Sequence, residues 1–138
     1  MSSSGSPVGL QSQDDEESED TKDLEELLNV TETRNELIDR LLFENQAEAS
    51  RKVRLFFATI IVLETTDRSD RALKASKIVD IFLKPASRFF VEGIPAGITS
   101  SLMQYKLRGF RSLARWILID LNQNEVVRDL VSKIKADT

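Results

Sequence analysis

From Leu55 to Leu63 the chain is apolar at every position except Thr59. On a 3.6-residue period Val53, Leu55, Phe56, Phe57, Ile60, Ile61, Val62 and Leu63 cover more than one face, and a helix apolar nearly all round belongs at the centre of a bundle. The run is about half of the ~20 residues that a helix needs to cross the hydrocarbon layer. It therefore predicts a buried central helix over about Ala47 to Glu64, with Phe56, Phe57 and Ile60 well inside. Each large side chain buried there contributes roughly 1.5 to 3 kcal/mol, so this segment anchors the fold.

Around that centre the hydrophobic period is helical at every step, and no alternating run is long enough for a strand. A first short helix begins near Thr21, with Leu24, Leu27 and Leu28 on one face. A second begins at about Thr33, read as its N-cap with Glu36 three residues on, and carries Leu37, Ile38, Leu41 and Leu42. After the polar turn at 66–70, capped by Ser69, a fourth helix uses Leu73, Ser76, Ile78, Val79, Phe82 and Leu83 until Pro85 stops it. Helices over about Ile98 to Leu107, Gly109 to Leu121 and Asn124 to Lys135 complete the pattern. The expected fold is all-α, a compact bundle of about six to eight helices.

Charge divides the chain in two. From Met1 to Val30 there are nine acids (Asp14, Asp15, Glu16, Glu17, Glu19, Asp20, Asp23, Glu25, Glu26) against Lys22, a net of −8. The whole chain carries −4, so the remainder carries −4 + 8 = +4. Residues 1–22, rich in Ser, Gly and acids, cannot bury enough apolar surface to offset the entropy of ordering and are expected to form a disordered tail. Residues 23–138 are expected to form the helical domain. The tail reads as a solvating extension or as an acidic partner-binding arm.

The chain has no His and no Cys. Thiolate nucleophiles, disulfides, the usual zinc sites and imidazole acid–base chemistry are thereby excluded. The five glycines are too scattered for a phosphate loop, and Asp14 to Asp20 lacks the Gly and distal Glu of a calcium loop. No catalytic residue, cofactor or metal is therefore expected, and the chain is read as a non-enzyme. The amino end shows neither a basic n-region nor an apolar h-region, which points to an intracellular, cytoplasmic address without excluding the nucleus.

The strongest charged feature is Ser100 to Ile119, which holds Lys106, Arg108, Arg111 and Arg115 and no acid. On a helix Arg108, Arg111 and Arg115 fall at i, i+3 and i+7, one stripe, while Phe110, Leu113, Ala114, Ile117 and Leu121 form another. Such a basic amphipathic helix suits a solvated face, an acidic protein, the chain's own acidic arm, an anionic membrane or RNA. RNA ranks lowest, because the acidic tail repels phosphates and only Tyr105 and Trp116 lie nearby for stacking. The irregular stretch from Lys84 to Gly97 presents Phe89 and Phe90, either as plugs of the bundle end or as apolar anchors for a partner.

Three segments, in order and spacing, resemble the regulator of G-protein signalling homology domain, a nine-helix all-α module, over roughly Leu24 to Ile134. They are Leu55-Phe56-Phe57-Ala58, the stretch from Ala75 to Leu83, and Asn124 to Leu130. The acidic stretch and Phe90-Val91-Glu92-Gly93-Ile94-Pro95 look most like the branch found in Rho guanine-nucleotide exchange factors. The resemblance implies docking on a G-protein α subunit, with Arg128 the best-matched contact residue. Members that accelerate GTP hydrolysis place an Asn in the loop where this chain has Glu92 and Gly93. Their earlier Glu-Asn pair is matched only by Glu44-Asn45, some residues early, and the connection before Gly109 is shorter than usual.

The sequence thus reads as a protein-interaction module using Arg108, Arg111, Arg115 and Arg128 with Phe89 and Phe90. The alternatives are a helical oligomeric assembly subunit, such as a viral one, with the apolar excess of residues 53–63 in its interface, or a binder of RNA or anionic membrane through the basic helix.

Overall fold

The computed structural model describes residues 21–138. Among them are seven helices and no strand, as the hydrophobic period predicts. They are α1 (residues 21–28), α2 (Thr31–Phe43), α3 (Ala47–Glu64), α4 (Arg68–Phe82), α5 (Ala96–Met103), α6 (Leu107–Asn122) and α7 (Glu125–Asp137). The tail expected over 1–22 lies outside the described residues except for Thr21 and Lys22, which are already helical.

All seven helices feed one hydrophobic core. Its centre is α3, flanked by α2, α4 and α6, and its most extensive partner is α6. Val53, Leu55, Phe56, Thr59 and Val62 of α3 are buried on these three sides. The sector left open holds Arg54, Phe57, Ile61 and Glu64, spaced i, i+3, i+7 and i+10. Phe57, expected well inside, is therefore 39% exposed, and Ile60 is only half-buried. Three flanking helices cannot cover a full circumference, so one stripe of an all-apolar helix stays outside. The same reason exposes Leu73, at 56%, since α4 packs chiefly against α3 with a smaller contact to α5.

Phe57 is not left bare. Arg34 of α2, buried among the core positions, lays its guanidinium 3.6 Å from the centre of the Phe57 ring and donates to the Leu28 carbonyl at 3.0 Å. Among the described residues no carboxylate pairs with it. Desolvation holds its pKa below the usual arginine value. One planar cation thus closes the α1–α2 turn and shields an aromatic ring.

Helix ends follow local chemistry. Asp67, rather than Ser69, caps α4 by accepting from the Asp70 N–H at 2.8 Å. Asn124 caps α7 through the Val126 and Val127 N–H groups and donates to Gln46 at 3.1 Å. Thr33 caps nothing: α2 starts two residues earlier with Val30 at the cap, and the Thr33 hydroxyl donates to the Leu27 carbonyl at 2.6 Å. Two helices end in left-handed residues, Asn45 (φ 61) after α2 and Tyr105 (φ 57) after α5. In each the next N–H reaches back to the carbonyl five residues earlier, Gln46 to Leu41 at 2.8 Å and Lys106 to Ser101 at 3.1 Å.

The break between α5 and α6 thus falls at 104–106, not beside Gly109 as expected. Gly109 sits inside the first turns of α6 and lets α5 approach: a Cβ there would lie 2.7 Å from the Ser101 Cβ and 3.1 Å from its carbonyl carbon. In an open helix Gly→Ala stabilises by about 0.8–1 kcal/mol. Here the obstructing atoms include backbone, so Gly109→Ala is expected to destabilise by about 1–3 kcal/mol, the usual range for overpacking. A urea titration reads the sign; a gain in stability would show that α5 does not approach so closely.

Candidate functional site

The sequence of α6 sorts cleanly into two stripes. Gly109, Phe110, Leu113, Ala114, Ile117, Leu118 and Leu121 are buried. Arg108, Arg111, Ser112 and Arg115 are exposed on the other side. Because the rise is about 1.5 Å per residue, Arg108 to Arg115 spans about 10 Å. The only acid of the helix, Asp120, is turned away from this stripe and holds Lys52 of α3 at 2.6 Å. Lys52 also lies 5.6 Å above the half-buried Trp116 ring. Some cations elsewhere sit in i, i+4 pairs, Lys74–Asp70 at 3.0 Å, Lys84–Asp80 at 2.8 Å and Lys133–Asp129 at 3.0 Å. Among the described residues no carboxylate pairs with Arg108 or Arg111.

Arg111 and Arg115 line a cleft of about 210 Å³ where α1, α3 and α6 meet. Phe56 and Ile60 of α3 with Ala114, Leu118 and Ile119 of α6 supply apolar walls, and Thr21 and Glu25 of α1 form the remaining edge. The arrangement is a cleft of mixed character, with Arg111 and Arg115 on one margin and the Glu25 carboxylate on the other. In its base Phe56, Ala114 and Leu118 are almost wholly buried, so that Ile60 and Ile119 supply most of its open apolar surface. It offers hydrogen-bond donors and positive potential to carboxylates, and van der Waals surface to a small apolar side chain between them.

The other candidates lie elsewhere. Phe89 is half-buried against Phe82, ring centres 6.4 Å apart, with Arg88 and Arg54 at 5.2 and 5.8 Å from its centre. Phe90 is also half-buried. The strap holding them is pinned where the Val91 N–H donates to the Phe82 carbonyl at 3.0 Å, with Val91 itself 2% exposed. Arg128 of α7 borders a separate cleft with Asp23, Leu24 and Asn122. Neither Phe89, Phe90 nor Arg128 lines the α6 cleft. Glu92 and Gly93 are exposed in the α4–α5 connection, and Gly93 takes φ 82.

Two features escaped the sequence reading. Phe43 is 86% exposed and Leu42 47%. Their signal was present, since three consecutive apolar residues, Leu41-Leu42-Phe43, cannot all face one side of a helix. Arg34 shares the inward face of α2 with Leu37, Ile38 and Leu41, a register that periodicity alone assigns to an apolar residue.

No family model, curated protein or solved structure matches the chain. Among the described residues no group of three or more carboxylates is gathered to hold a metal ion, and no helix is long and apolar enough to cross a membrane.

Proposed function

We propose that the chain is a non-catalytic protein-interaction module that receives an acidic segment of another protein in the cleft beside α6. The observation that carries this reading is the exposed row of Arg108, Arg111 and Arg115, two of which rim a cleft of mixed polarity in which Ile60 and Ile119 are half-buried. The cationic row steers and orients an acidic partner, and the half-buried Ile60 and Ile119 add a small apolar contact beside it. An anionic membrane calls instead for a basic helix whose apolar face is free to enter lipid, and the apolar stripe of α6 is buried in the core. RNA calls for several exposed aromatic platforms along the basic surface; of the two near the stripe, Trp116 is half-buried beneath Lys52 and Tyr105 is exposed, at 45%. As for assembly through residues 53–63, Val53, Leu55, Phe56 and Val62 are each no more than 1% exposed within one chain, which leaves to a second copy the stripe of Phe57, itself stacked by Arg34, and Ile61.

Affinity capture with the full chain tests the reading. Binding through exposed arginines is screened as the Debye length falls from about 10 Å at 0.1 M salt to about 3 Å at 1 M. Bound proteins are expected to elute over that range. Retention at 1 M salt would point to a dry apolar interface elsewhere.

Within this reading, a G-protein α subunit is the partner class that the family resemblance suggests. Docking without acceleration is expected, because Glu92 and Gly93 stand where accelerating members place an Asn. Single-turnover GTP hydrolysis by a panel of α subunits should be unchanged by the chain. A rate increase would show that another residue supplies the missing contact.

A further inference from the structure

We propose that residues 14–20 of the chain dock on α6 over Arg108, Arg111 and Arg115, and so compete with a partner for the same cleft. The competition rests on the reading of that cleft given above; the docking does not. Six of these seven residues are acids, Asp14, Asp15, Glu16, Glu17, Glu19 and Asp20, and they directly precede Thr21. Thr21 is buried, at 7% exposure, and lines the cleft together with Arg111 and Arg115. The acidic segment therefore joins the domain at the cationic stripe, with no linker between them.

Reach is sufficient. Seven residues extend up to about 25 Å, against about 10 Å from Arg108 to Arg115. The point of attachment is fixed, because Leu24, Leu27 and Leu28 of α1 are buried and Asp23 holds Lys135 of α7 at 2.9 Å. A segment tethered so closely acts at an effective concentration on the order of millimolar, which lets individually weak, exposed charge contacts compete with a partner free in solution. Lys106, exposed at the start of α6, extends the cationic row beyond Arg108.

The test compares the unaltered full chain with a full chain carrying D14N, D15N, E16Q, E17Q, E19Q and D20N, changes that leave every residue of the helical domain in place. Backbone amide spectra are recorded at low salt, and a fluorescein-labelled synthetic peptide of residues 11–20 serves as probe. The docking predicts that amides of 107–115 differ between the two chains, independently of protein concentration, and that the difference vanishes at about 0.5 M salt. It also predicts that the peptide binds the amide-substituted chain at least about tenfold more tightly, since the tethered competitor is gone. Coincident α6 amides at low salt, or equal peptide affinity, would overturn it. Differences that grow with protein concentration would also overturn it, by assigning the contact to a second copy. Failure of the partner reading is separable. If R108E/R111E/R115E still captures its proteins while the α6 differences are present in the unaltered chain, the docking stands and the partner site lies elsewhere. If capture is lost in that variant but the α6 amides coincide, the docking alone fails.

Discussion

Phe56→Ala is expected to destabilise the domain by about 3–5 kcal/mol, while Phe57→Ala, one residue along, costs about 1–2 kcal/mol. The first ring is 1% exposed between α3 and α6, where truncation leaves a cavity that the surrounding helices close only in part. The second is 39% exposed and stands in the open sector of α3, so its removal forfeits partial burial and the stacking of Arg34 3.6 Å away. Against a typical total of about 5–15 kcal/mol, Phe56→Ala brings the domain close to unfolding, and Phe57→Ala leaves it folded. Urea titrations of the two variants measure the difference. Equal losses would mean that α3 is rotated relative to its neighbours and that the cleft beside α6 has a different floor.

That contrast marks where the sequence stopped being informative. The extent of α3, the inward residues of α6 and α7, and the all-helical class follow from the 3.6-residue period alone, because a buried stripe must recur at that spacing. A period says nothing of how many neighbours a helix will have. For α3, with apolar residues all round, the choice between Phe56 and Phe57 rests on the positions of α2, α4 and α6, which only tertiary packing sets. Helix starts moved for a more local reason. Ser69 and Asp67 are both competent caps, and Asp67 prevails because its carboxylate reaches the Asp70 N–H while the helix gains two residues, Arg68 and Ser69. Gly109 was read as a helix boundary, but its conformation is helical and its use is steric, making room for Ser101.

Of the candidate site, the cationic stripe was legible and its setting was not. Arg108, Arg111 and Arg115 share a face because of their spacing on any helix. That Thr21, Glu25, Phe56 and Ile60 converge on Arg111 and Arg115 could not be read from the sequence, since it depends on residues from three separate helices meeting. The apolar anchors illustrate the reverse. Phe89 and Phe90 stood out in a loop punctuated by proline and glycine, yet the strap that carries them is fastened back to Phe82 and both rings are half-buried.

Reversing Arg108, Arg111 and Arg115 to Glu is expected to weaken partner capture by at least about 100-fold, since coupling across close charge pairs reaches 1.5 kcal/mol and more for each. The buried stripe of α6 is untouched, and exposed substitutions usually shift stability by about 0.5 kcal/mol or less each, so the helical spectrum and the unfolding transition should stay close to those of the unaltered chain. Net charge is a competing cause of lost binding, because the reversal makes an already acidic chain more so. A matched variant, R68E/K77E/K133E, makes the same change in net charge at exposed positions on α4 and α7.

Quantitative capture with these two variants and the unaltered chain, side by side at one salt concentration, tests the central claim most directly. The cleft beside α6 predicts that R108E/R111E/R115E loses the proteins which both the unaltered chain and R68E/K77E/K133E retain. Equal retention by all three chains, or equal loss from both variants, would contradict it.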